Sequence, residues 1–219
     1  RHDKIIDRSN KMNVYVSNDD KLKSLRNQLR ENGISVETVE GEIDASSCVV
    51  HSRSNTAIIT EGKDELKEYM TTCGYDIHTT EMEFGGQRDV IFSHNSKHIW
   101  VGCGYRTNGA FAEMLRRVFG KDTKVHELNL KDDEFMNLDE CFCPMKEDKV
   151  MIYQRALDDD SKRKIYEIYK KENIVEVTRK DARDGVCNAI TVENKMIMHK
   201  CSWSLIDELD AYNITIIPS

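Results

Sequence analysis

The sequence contains little proline, with two residues in 219, and no stretch rich in glycine and serine. Linkers between domains usually draw on these residues, so their scarcity predicts one domain over residues 1–219, with residues 1–11 as a flexible segment. Apolar runs fall short of the ~18 residues that a membrane helix requires, and a secretory signal is lacking. These absences argue against a membrane protein and against a secreted one.

Long basic blocks are lacking too. The formal net charge is −7, and lysine and arginine form no run typical of nucleic-acid-binding proteins. The seven cysteines have no spacing typical of a disulfide framework, which favours a reducing intracellular compartment, cytoplasmic or mitochondrial. Cys141 and Cys143 form a Cys-x-Cys pair, but no second ligand pair and no histidine cluster stands at a zinc-binding spacing. We therefore expect no metal and no cofactor.

What the sequence does contain is a repeated pattern of strand, strand, helix and strand, with a period of about 45 residues. The clearest copy places apolar strands at 88–92 and 98–101 around a polar turn, a helix at 107–119 and a strand at 124–130. Apolar residues at helical spacing within 107–119 predict that one face of this helix is buried.

Three further copies follow the same order. They comprise strands 47–50 and 57–60, helix 63–72 and strand 77–81; strands 140–143 and 150–153, helix 160–171 and strand 174–177; and strands 187–192 and 196–199, helix 202–209 and strand 214–217. The acidic run 158–160 precedes one of these helices, where it is expected to cap the helix. At the N-terminus only a strand at 12–16, a helix at 19–31 and a strand at 34–39 are recognisable. The sequence thus predicts four full units and one incomplete unit.

Four short segments add to this pattern. They read Phe-Gly-Gly-Gln-Arg-Asp at 84–89, Trp-Val-Gly-Cys-Gly-Tyr-Arg-Thr at 100–107, Asn-Leu-Asp-Glu-Cys-Phe-Cys-Pro at 137–144 and Gly-Val-Cys-Asn-Ala at 185–189. In this order they resemble segments of the guanidine-modifying enzymes, the dimethylarginine dimethylaminohydrolase and amidinotransferase superfamily. The resemblance runs from about residue 84 to about residue 217. It implies the α/β pentein fold, an α/β propeller in which five strand-strand-helix-strand units form a ring.

An incomplete first unit would have a consequence in such a ring. The strand that it lacks must come from the far end of the chain, and without it the strand at 12–16 has an unpaired edge. Unpaired edges are a liability that another chain can cover. We therefore expect a protein partner in a multi-subunit assembly to dock at 12–16.

The chemistry of this superfamily requires three kinds of side chain. A cysteine thiolate attacks the guanidinium carbon, a histidine transfers protons, and carboxylates hold the planar cation through paired hydrogen bonds. By resemblance, Asp89 and Asp139 occupy the carboxylate positions, and Arg106 occupies that of an arginine near the substrate's own carboxylate. Alternatively, Asp89 pairs with a neighbouring turn and Arg106 caps the helix that follows.

The sequence departs from the superfamily at the reacting groups. Asn137 stands where the resemblance places the catalytic histidine, and losing such a general acid–base group commonly costs on the order of 10²–10⁴ in rate. The nucleophilic cysteine belongs to a C-terminal segment that these 219 residues do not contain. Cys103, Cys141 and Cys187 are expected to be core thiols that do not replace it.

Two further departures concern substrate contacts. Gly85 replaces a glutamate and Arg88 replaces a glycine of the superfamily pattern. The stretch 60–76 is short where superfamily enzymes carry a loop that covers the substrate. Both changes weaken the expectation of an intact substrate pocket.

Three hypotheses follow. The first is an inactive member that serves as a structural or interaction subunit of a larger complex. The second is an active hydrolase, converting arginine or methylarginine to citrulline, whose cysteine segment lies beyond Ser219. The third is a sensor that holds arginine weakly through Asp89, Arg106 and Asp139.

Overall fold

Small three-stranded sheets, each with a helix between its second and third strands, make up most of the protein. The structure is a computed structural model, and it describes residues 4–7, 13–40, 43–121, 123–192, 194–198 and 201–218. Within these ranges the chain forms five such sheets, so the protein is an α/β protein. This agrees with the predicted repeat.

Strands and helices alternate along the chain as the repeat predicts. The strands are β1 Lys4–Asp7, β2 Asn13–Ser17, β3 Ser35–Val39, β4 Cys48–His51, β5 Thr56–Thr60, β6 Asp76–Thr80, β7 Val90–Phe92, β8 His98–Cys103, β9 Lys124–Asn129, β10 Phe142–Pro144, β11 Val150–Ile152, β12 Ile174–Glu176, β13 Ile190–Val192, β14 Lys195–Met198 and β15 Thr215–Pro218. The helices are α1 Lys23–Glu31, α2 Asp64–Thr72, α3 Gly109–Phe119, α4 Asp159–Ile168, α5 Arg179–Arg183 and α6 Trp203–Ala211. In the described ranges, none of the helices is long and apolar enough to cross a membrane.

The second strand is central in every sheet. The strand orders are β1-β2-β3, β4-β5-β6, β7-β8-β9, β10-β11-β12 and β13-β14-β15. Second and third strands run parallel throughout, as where Trp100 of β8 lies opposite His126 of β9. A parallel pair needs a crossover connection, and the helix between the two strands supplies it.

The N-terminal unit is complete, which corrects the prediction of one incomplete unit. β1 pairs antiparallel with β2, with Ile5 opposite Tyr15, so β2 has a neighbour on both sides. The edge predicted to be open at 12–16 is therefore paired within the chain, which removes the reason for expecting a partner to dock there. Lys-Ile-Ile-Asp does not alternate apolar and polar residues, so hydrophobic periodicity does not mark it as a strand. β1 also lies inside the segment 1–11 that was predicted to be flexible; the rest of that segment falls outside the described residues.

The chain divides into two units, residues 1–90 and residues 91–219, and each has its own hydrophobic cluster. In the first, Tyr15, Ile59 and Met70 are buried together, and the hydroxyls of Tyr15 and Tyr75 are hydrogen-bonded at 2.8 Å. In the second, the cluster extends from the sheet β7–β9 to the sheet β13–β15 and includes the fully buried Trp100. One domain over residues 1–219 stays a prediction.

Side-chain caps mark where α3 and α4 begin in the second unit. Asn108 caps α3, since its Oδ1 accepts from the backbone N–H of Ala110 at 3.0 Å. Asp158 caps α4, because its Oδ1 accepts from the Ser161 N–H at 2.8 Å. The predicted capping role of the run 158–160 is thereby confirmed.

Candidate functional site

Asn137 is the N-cap of a short 3-10 turn, Leu138–Glu140, that carries the candidate site. The residue is 2% exposed and has an extended backbone. Its backbone N–H donates to Glu140 Oε2 at 3.1 Å, and its side chain accepts from the Glu140 N–H, so the two residues complete a capping box. Asn137 therefore has a structural role, and its amide cannot act as a general acid or base near neutral pH.

Asp139 lies within the same turn and is half-buried. Its Oδ2 accepts a hydrogen bond from Asn188 Nδ2 at 3.2 Å. Asn188 ends a second 3-10 turn, which begins after Gly185 in the left-handed conformation (φ 83°) that glycine adopts without strain. The segments 137–144 and 185–189, both singled out from the sequence, thus meet at this hydrogen bond.

Arg106 projects from a tight turn between β8 and α3. The turn is closed by Gly104, whose N–H donates to the Thr107 carbonyl at 3.1 Å. Gly104 has φ 130°, and a Cβ there would lie 2.9 Å from the Leu130 carbonyl oxygen. Arg106 is exposed and makes no hydrogen bond or ion pair with the residues that the structure describes. Because Asn108 caps α3, the alternative of Arg106 as its cap is wrong.

Asp89 belongs to the unit of residues 1–90 and is described by itself. It is fully buried, and its N–H donates to the Gly86 carbonyl at 3.1 Å. A Cβ at Gly85 would lie 2.2 Å from Asp89 Oδ2, so the carboxylate occupies the space that a side chain at position 85 would need. The departure at Gly85 and the orientation of Asp89 are therefore linked.

The cysteines weighed as replacement nucleophiles are buried. Cys141 and Cys187 lie in the core of the second unit, and Cys103 is 6% exposed. Burial, followed by the nearby Cys143, Cys141 and Asp139, raises the pKa of the Cys187 thiol well above its usual value. A thiol that resists ionisation is a poor nucleophile, so the expectation of core thiols agrees with their surroundings. Across the described ranges, no three His, Cys, Asp or Glu side chains converge in a way that could hold a metal ion.

Two histidines form a pair that sequence spacing did not reveal. His98 Nδ1 lies 2.9 Å from His126 Nε2, and the ring of His126 stacks on buried Trp100 with centroids 4.7 Å apart. Burial lowers the pKa of His98, and Lys124 and Lys97 lower it further. Burial also lowers the pKa of His126, to about 4, and the neighbouring His98, Lys124, Lys164 and Arg116 act in the same direction.

This pair predicts a loss of stability in mild acid. The unfolded chain binds protons at a histidine pKa of 6.5, whereas folded His126 does so only at about 4, so the unfolded state takes up more protons between these values. We expect the free energy of unfolding, measured by urea titration, to fall as the pH drops through this window. His126→Asn should reduce the dependence of the unfolding free energy on pH in this window. His78→Asn, at a histidine of the first unit, should not. An unchanged slope in His126→Asn would contradict the assignment.

The sequence did not predict the elements that hold the site in place. α5 is a five-residue polar helix, and its Arg179 and Arg183 form ion pairs with Glu134, three residues before Asn137. No motif or apolar period marks these residues. The sequence offered only opposite charges, an acidic run at 132–134 and basic residues within 179–183.

Comparison with known proteins now adds to the geometry. The sequence model of the family described as N,N dimethylarginine dimethylhydrolase, eukaryotic, matches residues 58–214. The chain belongs to this family. The predicted resemblance to dimethylarginine dimethylaminohydrolases is thereby confirmed.

Curated relatives of this dimethylarginine dimethylhydrolase family member include two bifunctional arginine dihydrolase/ornithine cyclodeaminases. AgrE of Nostoc sp. is 28% identical over 154 residues, covering 69% of this chain and 22% of AgrE. ArgZ of Synechocystis sp. is 31% identical over 129 residues, covering 59% of this chain and 18% of ArgZ. The matched region thus spans about a fifth of the length of these relatives.

Solved structures show the same fold. The N-terminal domain of ArgZ superposes with a TM-score of 0.82 at 23% identity, covering 90% of this chain and 78% of that one. Dimethylarginine dimethylaminohydrolase from Pseudomonas aeruginosa superposes with a TM-score of 0.69 at 14% identity, covering 90% of this chain and 80% of that one. At these identities the likeness concerns the fold alone.

Proposed function

We propose that the protein binds a guanidino compound, arginine or a methylated arginine, without hydrolysing it by the covalent route of its superfamily. The observation that carries the proposal is Asn137. The position that the resemblance assigns to the proton-transferring histidine holds a buried, non-titrating amide engaged with Glu140. Proton transfer to a leaving amine has no donor there.

The groups that would contact the ligand support the proposed binding of a guanidino compound. Asp139 is half-buried and oriented by Asn188, so its carboxylate is held ready for a cation. The Arg106 guanidinium is exposed on a closed turn and has no ion pair among the described residues. A ligand with a guanidinium at one end and a carboxylate at the other matches these two charges.

The arrangement of the five sheets is part of the proposal. We propose that they form the α/β pentein ring that the resemblance implies. Membership of the family and the likeness to the N-terminal domain of ArgZ over 90% of this chain support this arrangement.

A second candidate function is hydrolysis of the guanidino compound. It is favoured by the relatives, two of which carry arginine dihydrolase in their names. An assay of citrulline released from arginine and methylarginine by the full-length protein separates the two candidates. Sustained release would overturn the proposal of binding without turnover.

A role within a multi-subunit assembly stays a prediction. The open strand edge that motivated it is closed by β1. The predicted reducing compartment, cytoplasmic or mitochondrial, also stays a prediction.

Binding is tested by calorimetry with L-arginine. We expect Arg106→Gln and Asp139→Asn each to weaken binding by about tenfold or more, because each removes a charge-assisted hydrogen bond. Arg117→Gln on α3 and Asp133→Asn in the loop before Asn137 are matched controls. Both control residues are exposed and have no ion pair among the described residues, so these variants should bind as the wild type does. If wild-type protein gives no heat at about millimolar arginine, the proposal fails.

A further inference from the structure

We infer that Arg179 and Arg183 of α5 are positioning residues of the candidate site, because they hold, through Glu134, the segment that leads into Asn137 and Asp139. The inference rests on the proposed function, since the placement of Asp139 affects ligand binding only if a guanidino ligand binds there. It adds to that site two cations that lie outside every motif of the sequence.

Glu134 accepts hydrogen bonds from both arginines. Arg179 Nε donates to Glu134 Oε2 at 2.8 Å, and Arg183 Nη2 donates to the same oxygen at 3.0 Å. Arg183 Nε also donates to Glu134 Oε1. Arg179 Nη1 lies 3.2 Å from Asp132 Oδ2, and its guanidinium carbon lies 5.8 Å from the centre of the Phe135 ring. Contacts from α5 therefore hold the segment 132–135 at Asp132, Glu134 and Phe135.

These charges stay ionised near neutral pH. Hydrogen bonds from Arg183 and Arg179 lower the pKa of Glu134, and the hydrogen bond to Glu134 raises the pKa of each arginine. An isolated exposed ion pair contributes little to stability. Here two guanidinium groups share one carboxylate, and the planar geometry of each fixes where that carboxylate lies.

α5 is itself fixed, which allows it to position another segment. Buried Asp181 accepts from the Ser202 N–H at 2.8 Å, from the Ser202 hydroxyl at 2.9 Å and from the Thr178 hydroxyl at 2.7 Å. These bonds join the start of α5 to the start of α6.

The stretch 178–188 holds the stretch 132–139 at both ends. Arg179 and Arg183 contact this stretch at Glu134, on the N-terminal side of Asn137. Asn188 contacts it at Asp139, on the C-terminal side of Asn137. A binding group that is already held in place loses less conformational entropy when a ligand arrives. Releasing one of the two attachments should therefore weaken binding without removing any group that touches the ligand.

The test compares two variants with the same change of charge. Glu134→Gln removes the carboxylate that both arginines share. Asp160→Asn on α4 is the matched control, because Asp160 also pairs with two cations, Arg163 at 2.9 Å and Lys164 at 3.0 Å. We expect Glu134→Gln to weaken arginine binding by about threefold or more and Asp160→Asn to leave it unchanged. Arg183→Lys keeps the positive charge but loses the planar guanidinium with its paired N–H donors, and should give an intermediate affinity for arginine.

A second readout does not depend on the ligand. Hydrogen exchange of the backbone amides from 137 to 141 should be faster in Glu134→Gln than in the wild type, with Asp160→Asn unchanged. Raising sodium chloride from about 0.05 M to about 0.5 M should narrow the difference in exchange rate between wild type and Glu134→Gln, because salt screens exposed charges.

The outcomes separate the two proposals. Unchanged exchange at 137–141 in Glu134→Gln, or an equal effect in Asp160→Asn, overturns the positioning role. If arginine does not bind to the wild type, the proposed function fails, and the exchange rates alone decide whether the arginines position the segment.

Discussion

Replacing Trp100 with alanine is expected to lower the free energy of unfolding by about 3–5 kcal/mol, the usual range for truncating a buried tryptophan. Trp100 is fully buried in the core of the second unit. Its ring lies against His126, Phe142 and Tyr169, with centroids 4.7, 5.1 and 5.8 Å away. The substitution leaves these rings facing a cavity that a rigid sheet cannot close.

The chain supplies its own control for this prediction. Its other tryptophan, Trp203, is 81% exposed at the start of α6. Trp203→Ala should change stability by no more than about 0.5 kcal/mol. Urea unfolding followed by far-UV circular dichroism measures both variants. Should Trp100→Ala not fold, Trp100→Phe is expected to show a smaller loss in the same direction. A loss below about 1 kcal/mol for Trp100→Ala would contradict the packing described for it.

Replacing Asp181 with alanine is expected to destabilise the protein by about 3 kcal/mol, since it removes three hydrogen bonds to a buried carboxylate and leaves their partly buried donors without that acceptor. Asp181 is 1% exposed, and its carboxylate accepts from the Ser202 N–H and hydroxyl and from the Thr178 hydroxyl. Asp184→Ala is the control: Asp184 is partly exposed and pairs with Lys180 at 2.8 Å. Such a pair contributes no more than about 1 kcal/mol.

The pH dependence of this effect has a definite sign. Burial opposes ionisation of Asp181, but hydrogen bonds from Thr178 and Ser202 outweigh it and lower the pKa of the carboxyl below its ordinary value of 3.8. The contribution is therefore present above the unfolded pKa and is lost as the pH falls through the folded pKa. Unfolding curves should show the wild type and Asp181→Ala converging in acid. Parallel profiles down to the lowest pH would argue that the carboxylate is not ionised in the fold.

Much of the fold follows from local patterns in the sequence. Strands such as β8 were predictable because they are short apolar runs, and Asn108 and Asp158 are residues typical of helix N-caps. The strand β1 was missed because Lys-Ile-Ile-Asp does not alternate apolar and polar residues. That omission produced the mistaken expectation of an open edge at β2.

The site could be predicted only in part. The motif segments 137–144 and 185–189 contain Asn137, Asp139 and Asn188, but the sequence predicted a strand at 187–192, whereas Asn188 lies in a 3-10 turn and the strand begins at Ile190. What the sequence could not provide was the support around them. The bonds from Arg183 to Glu134 and from Ser202 to Asp181 join residues far apart in the chain, and no spacing rule connects them. The pairing of His98 with His126 depends on the register of β8 against β9, which is a property of the folded sheet.

The capping box at Asn137 makes a histidine at this position costly. Asparagine is among the best N-cap residues, because its short side chain returns to the backbone of the following turn. Histidine has no side-chain oxygen for that purpose, so placing it there would give up the cap, at about 1 kcal/mol, before any proton transfer was gained. The same short turn therefore ties the identity of residue 137 to the stability of the segment that carries Asp139.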